Sequence, residues 1–204
     1  MMLSHSLLIL SDDPFGAAVA GWVRSSALAP DGANALRDPT AWPPARVRAL
    51  VRSRRDRAAE ERMETLSWGT GRAWVPVQIE ARSIRVGPVV VPGRSACLEC
   101  FYRRQRQHGR RSALDDELEH ALTGSGSPGY QGQLAAHVGL VAGLLRAIAE
   151  SDDAVGAFAS RFWRLGYADV SVREALVTPV AGCRKCDPDL DEGERYRRLV
   201  QHFP

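Results

Sequence analysis

Apolar positions in this chain change their spacing from one segment to the next, and the changes predict strands alternating with helices. Leu7 to Leu10 is an unbroken apolar run bounded by Ser11, Asp12 and Asp13, the pattern of a short buried strand. A helix over 14–28 should follow at once: Pro14 suits a first turn that needs no amide donor, Asp12 or Asp13 can cap it, and Phe15, Ala18, Val19, Trp22 and Val23 recur at helical spacing. Beyond the turn-like Asp31 to Asn34 a short weak strand is expected, and Pro43 with Pro44 opens a second helix over 43–64. Trp74 to Glu80 and Ser83 to Val90 read as two strands joined around Ala81 and Arg82, with Pro76 marking a strand start or an edge. Leu134, Val138, Val141, Leu144, Leu145 and Ile148 form a broad apolar face, which predicts a helix over 131–150 laid against a sheet. Further strands are expected at 162–165, 168–172 and 174–178, and a short terminal helix around Tyr196, Leu199 and Val200. Between the sheet-forming halves, the basic 103–111, the acidic 115–119 and the Gly- and Ser-rich 124–129 read as a mobile connection.

Charge narrows the choice of partner. The 204 residues carry 27 basic and 24 acidic side chains, a net charge of +3, which is too small to demand a nucleic acid. Arg46, Arg48, Arg52, Arg54, Arg55, Arg57 and Arg62 crowd the second predicted helix and are only partly balanced by Asp56, Glu60, Glu61 and Glu64. They read as a solvated face, with a docking surface as the competing reading. No apolar run approaches the ~18 residues that a spanning helix needs, and the best stretch, Leu134 to Ile148, is interrupted by His137 and Arg146. The first residues lack a basic cluster and a small-residue cleavage pattern, so a cytoplasmic protein without a membrane partner is expected. His108, His120 and His137 stand in unrelated contexts without a nucleophile motif, and read as surface or packing residues. Trp74 and Trp163 read as core anchors rather than stacking platforms.

The chemistry sits in the cysteines. There are four, and they form two CxxC pairs, Cys97 with Cys100 and Cys183 with Cys186. A two-residue spacer lets both sulfurs of a turn face one tetrahedral ion, and four thiolates suit structural zinc. The long separation between the pairs makes the ion a clip between distant loops, not an autonomous finger. Four thiolates around a divalent ion leave a net charge of about minus two, which Arg94, Arg103, Arg184 and Lys185 are close enough in sequence to offset. Redox pairs would need exposed low-pKa thiols, and neither pair has the helix-starting βα context expected of a thioredoxin-like motif. Iron–sulfur binding and disulfides rank behind zinc, the first for want of an electron-transfer partner domain and the second because a cytoplasmic chain is expected.

The stretch WVPVQIEARSIRVGPVVVPGRSACLEC, residues 74–100, resembles the ThiF-like, adenylating-enzyme-like proteins of azole-modified peptide and bacteriocin biosynthesis, which act as cyclodehydratase partners or leader-peptide-binding proteins. The later QLAAHVGLVAGLLRAI and the closing VTPVAGCRKCDP follow in the same order as in that family. The resemblance implies a reduced adenylating-enzyme-like α/β domain with a mixed or mostly parallel sheet and a four-cysteine zinc clip. It divides the chain into a shortened N-terminal part at 1–73, a zinc-bearing core part at 74–190 and a tail or short helix at 191–204. It also implies that Cys97, Cys100, Cys183 and Cys186 hold structural zinc, and that the partner is a YcaO-like cyclodehydratase, an enzyme that activates peptide amide oxygens with ATP and cyclises Cys, Ser or Thr side chains.

One departure from the family bears on activity. Its adenylating members follow the first strand with a glycine-rich nucleotide loop, whereas this chain has LLILSDDPFGAAVAG. Adjacent aspartates repel phosphate and Pro14 removes a donor, so ATP is not expected as a cofactor and no catalytic residue is assigned. The expected role is a non-catalytic accessory or scaffold subunit that supports the cyclodehydratase, contacts a precursor peptide, and forms a homodimer or heteromer. Two alternatives stand beside it: a divergent ATP-dependent adenylating or cyclodehydratase component, and a zinc-containing nucleic-acid-binding regulator resting on Arg52 to Arg57 and Arg103 to Arg111. Scattered basic residues without an aromatic stacking pattern count against the last.

Overall fold

The first apolar run is a strand with no polar side to show, and in the computed structural model it lies where both of its faces are covered. The structure describes residues 5–23, 26–28, 38–80, 82–109, 117, 135–150, 154–167 and 171–186. Strand β1 (His5–Leu10) turns Leu7 and Ile9 to one face of a sheet and Leu8 and Leu10 to the other, and all four are buried. The sheet has seven strands: β1, β2 (Ser26–Leu28), β3 (Ala45–Arg52), β4 (Ala73–Ile79), β5 (Ser83–Val86), β6 (Arg161–Gly166) and β7 (Val172–Leu176), in the order β2-β1-β3-β4-β5-β6-β7. Pairing is parallel from β2 through β4 and antiparallel from β4 through β7, so the sheet is mixed.

Helices α1 (Pro14–Trp22) and α4 (Ala135–Glu150) cover one face, where Phe15, Val19, Val141, Leu145 and Ile148 pack on Val47, Val75 and Trp163. Helices α2 (Arg57–Thr70) and α3 (Leu98–Gln107) cover the other, where Met63, Leu98 and Phe101 pack on Leu50 and Trp74. Trp74 and Trp163 are core residues, as expected. His137 is also buried; its Nε2 lies 3.2 Å from the Gly166 carbonyl and its ring packs edge-on against Tyr167.

Several predicted elements are corrected. The helix expected over 43–64 is strand β3 followed by α2, because residues 45–49 alternate between apolar and basic positions at the period of a strand. Its arginines are not all solvated: Arg55 is buried beside Glu60, and Arg52 is mostly covered between Asp12 and Asp56. The helix expected over 14–28 stops at Trp22, and 26–28 is the edge strand β2. A single 3-10 turn, Pro39–Ala41, follows the segment where a weak strand was expected, and positions 31–37 lie outside the described residues. The strand expected over 83–90 ends at Val86, where Gly87 takes a positive φ of 101°; Val90 keeps only an isolated bridge to Trp74. Strands expected at 168–172 and 174–178 are replaced by the single β7, with 168–170 outside the described residues. The mobile connection expected to begin at 103 is corrected at its start, since 103–107 belong to a helix that begins at Leu98; its part at 124–129 and the terminal helix near Tyr196 also lie outside the described residues.

The chain leaves the sheet after β5 and re-enters at β6. Exit and return are stitched together: Val89 N donates to the Arg161 carbonyl and Ser160 N to the Val89 carbonyl, both at 2.9 Å.

The turn from β1 into α1 admits no side chain at position 16. A Cβ on Gly16 would overlap the Cβ and Oγ of Ser11 and come within 3.0 Å of the Val51 carbonyl. Gly16→Ala is therefore expected to cost about 1–3 kcal/mol, the range for overpacking a tight site, read as a lowered urea midpoint with an unchanged slope.

Candidate metal centre

The first cysteine pair rides on the start of a helix. Cys97 is the residue before α3 and Cys100 lies in its first turn, so this pair does start a helix, although β5 ends well before it, at Val86. The turns and loop after β7 carry the second pair; Gly182, with φ at 69°, bends the chain so that Cys183 N can donate to the Val180 carbonyl at 3.0 Å. The two pairs meet. Cys97 Sγ stands 3.6 Å from Cys183 Sγ, Cys100 Sγ stands 3.4 Å from Cys186 Sγ, and all four sulfurs lie within 4.8 Å of one another. With Zn–S bonds of about 2.3 Å, sulfurs at the corners of a tetrahedron are about 3.8 Å apart, so the cluster has the size of a closed four-thiolate shell. Cys97, Cys100 and Cys183 are buried and Cys186 is half-buried.

Four thiols this close cannot ionise independently. Hydrogen bonds from Cys186 and then Cys97 hold the Cys100 thiol down at about 4, and the hydrogen bond to Cys100 pushes Cys186 far up. A divalent cation removes that conflict, since it favours the thiolate on every ligand at once.

Three contacts fix the loops around the sulfurs. Val180 N lies 3.2 Å from Cys100 Sγ. Arg104, on α3, donates to the carbonyls of Thr178 and Pro179, at 3.3 and 2.8 Å, and so ties the helix of the first pair to the loop of the second. Glu64, on α2, accepts from Leu98 N at 2.7 Å and lies 3.5 Å from Lys185 Nζ. Burial pushes the Glu64 carboxyl up to about 7 against the pull of the Leu98 amide and the lysine. Of the basic residues expected to offset the thiolates, Lys185 is paired with Glu64 and Arg103 with Glu99. Glu64 and Arg104 were not singled out from the sequence, because their partners lie 34 to 121 positions away.

A second place in the fold is defined by strand order. The chain runs from β1 to β2 on one side and comes back to β3 on the other, so a crevice is expected where the carboxyl ends of β1 and β3 part, the usual ligand position in an open α/β sheet. Here the crevice holds the chain's own carboxylates. Asp13 caps α1, accepting from Gly16 N at 3.0 Å through one oxygen and from Ser53 N at 2.5 Å through the other. Arg52 bridges Asp12 at 3.0 Å and Asp56 at 2.7 Å. The amides at the start of α1 that could meet a phosphate thus face a fixed anion instead.

Neither a protein-family model nor a curated protein matches the chain. Solved structures do. The chain is similar to the heterocyclase TruD, with a TM-score of 0.61 and 12% identity over 91% of this chain and 28% of that one. A heterocyclase in complex with substrate and cofactor gives a TM-score of 0.62 and 13% identity, over 89% of this chain and 25% of the other. MccB of E. coli gives a TM-score of 0.59 and 11% identity, over 91% of this chain and 66% of MccB. The fold resembles that of adenylating-enzyme-like proteins. At these identities the likeness is one of fold, and this chain spans only about a quarter of the length of the two heterocyclases. Among the described residues, no helix is long and apolar enough to cross a membrane.

Proposed function

We propose that this chain is a component of a peptide-modifying enzyme of the azoline-forming kind, that it holds one structural zinc ion on Cys97, Cys100, Cys183 and Cys186, and that a YcaO-like partner supplies the ATP chemistry. Three observations support the reading: the resemblance of residues 74–100, the likeness in fold to TruD and MccB, and the size of the sulfur cluster. The proteins matched are themselves a heterocyclase and MccB, which favours a divergent component of the enzyme over a separate adaptor.

The assignment of nucleotide to the partner rests on Asp13. Its carboxylate takes the Gly16 and Ser53 amides, so a phosphate entering the crevice would have to displace an anion that is already hydrogen-bonded on both oxygens. Zinc on four cysteines has no open position, so its part is to hold the two loops together rather than to activate water.

Calorimetric titration of the purified chain with magnesium ATP should show no binding at millimolar nucleotide. The same chain mixed with its YcaO-like partner, precursor and magnesium ATP should form a stable complex, and the precursor should lose the mass of one water per ring made as ATP is cleaved to ADP and phosphate, read by mass spectrometry. Metal analysis should find one zinc per chain. Micromolar ATP binding by the isolated chain would overturn the division of labour, and a folded chain that takes up no zinc would overturn the metal assignment.

A further inference from the structure

One residue that reaches both cysteine turns belongs to neither pair. We propose that Glu64 is a positioning residue for the metal, a single buried carboxylate that holds both cysteine turns in the arrangement that receives the ion. The inference rests on the zinc reading above and adds to it a residue outside the four ligands.

Each oxygen of Glu64 serves one pair. Oε1 accepts from Leu98 N at 2.7 Å, the amide immediately after Cys97 and the first of α3, so it fixes the start of the helix that carries Cys97 and Cys100. Oε2 lies 3.5 Å from Nζ of Lys185, which stands between Cys183 and Cys186. The Glu64 side chain is only 4% exposed, whereas Lys185 is 42% exposed, so the carboxylate is the fixed member of the pair and the lysine the one drawn to it. Its own support is α2, which starts at the Asp56 cap and packs Met63 into the core. Glu99, the other acidic residue beside the first pair, is partly exposed and engaged by Arg57, Arg103 and Arg106, all of them outside the second pair's turn. A group that orients metal ligands without touching the metal commonly changes affinity by ten- to hundredfold when replaced.

The test uses the full chain loaded with zinc and challenged with excess chromophoric chelator, and the cobalt-substituted chain read by its thiolate-to-cobalt and ligand-field absorption. Glu64→Gln keeps an acceptor for Leu98 N but loses the charge that draws Lys185, and should release zinc about tenfold faster. Glu64→Ala should release it faster still and shift the cobalt spectrum away from the tetrahedral form. Lys185→Met, which frees only the second pair, should fall near Glu64→Gln, and Glu99→Gln should match the parent. If Glu64→Ala does not fold, the Gln and Lys185→Met variants decide the matter. Parent-like zinc release and cobalt spectra in both would overturn the inference, as would equal loss of stability in the metal-free and loaded forms with no change in release. A parent chain that binds neither metal would sink the zinc reading first and this inference with it.

Discussion

Glu60→Ala is expected to lower the unfolding free energy by about 3–5 kcal/mol, the cost of breaking a buried ion pair by removing one of its members. Glu60 is buried on α2, where Arg85, Arg55 and Tyr102 all converge on its carboxylate. Arg85, only 1% exposed on β5, donates to Glu60 Oε1 at 3.1 Å, to Gln78 Oε1 at 2.7 Å, to Glu80 Oε1 at 3.2 Å and to the Gly87 carbonyl. The hydroxyl of Tyr102 donates to Glu60 Oε2 at 2.6 Å, and the buried Arg55 reaches the same oxygen at 3.4 Å while its guanidinium lies over the Tyr102 ring at 3.9 Å. Truncating the carboxylate takes one charged partner from each of two buried guanidiniums, Arg85 and Arg55, and leaves Arg85 with Glu80, Gln78 and the Gly87 carbonyl. Urea unfolding measures the loss directly. The double variant Glu60→Leu with Arg85→Met should recover a large part of it, because removing both members of a buried pair avoids the unpaired charge. A loss below about 1 kcal/mol in Glu60→Ala would mean that solvent enters and rescues the cations.

Stripping the metal should have a comparable effect, concentrated around the two cysteine turns. With free zinc at a thousand times its dissociation constant, binding to the folded state alone contributes about 4 kcal/mol, and chelation removes it. Cys183→Ser should behave like the chelated parent, since three thiolates leave the shell incomplete. The first turn of α3 and the segment from Val177 to Cys186 should gain hydrogen exchange, while the parallel strands β1, β3 and β4, which carry none of the four sulfurs, should keep their protection. Unfolding transitions that coincide with and without chelator would contradict a structural ion.

Much of this was legible in the sequence, and the errors have identifiable causes. The four cysteines announced their meeting because two short spacers leave few other uses for them, and the run at Leu7 to Leu10 announced a strand covered on both faces. β3 was misread although its alternation, Val47, Ala49 and Val51 against Arg46, Arg48 and Arg52, is that of a strand; the arginines drew attention by their number and not by their period. α3 was missed for a similar reason. Leu98, Phe101, Tyr102 and Gln105 recur at helical spacing and are all buried, but the cysteines among them were read as a metal turn alone. Glu64, Glu60 and Arg85 could not be found this way, since what matters in them is a partner brought near by the fold, and no local spacing records it.

The paired exit and return at Val89 and Ser160 form a closed doorway in the sheet through which the chain leaves after β5 and comes back to β6. A chain excursion whose two ends are bonded to each other in this way pays only about 0.6 kcal/mol more in closure entropy for each doubling of its length.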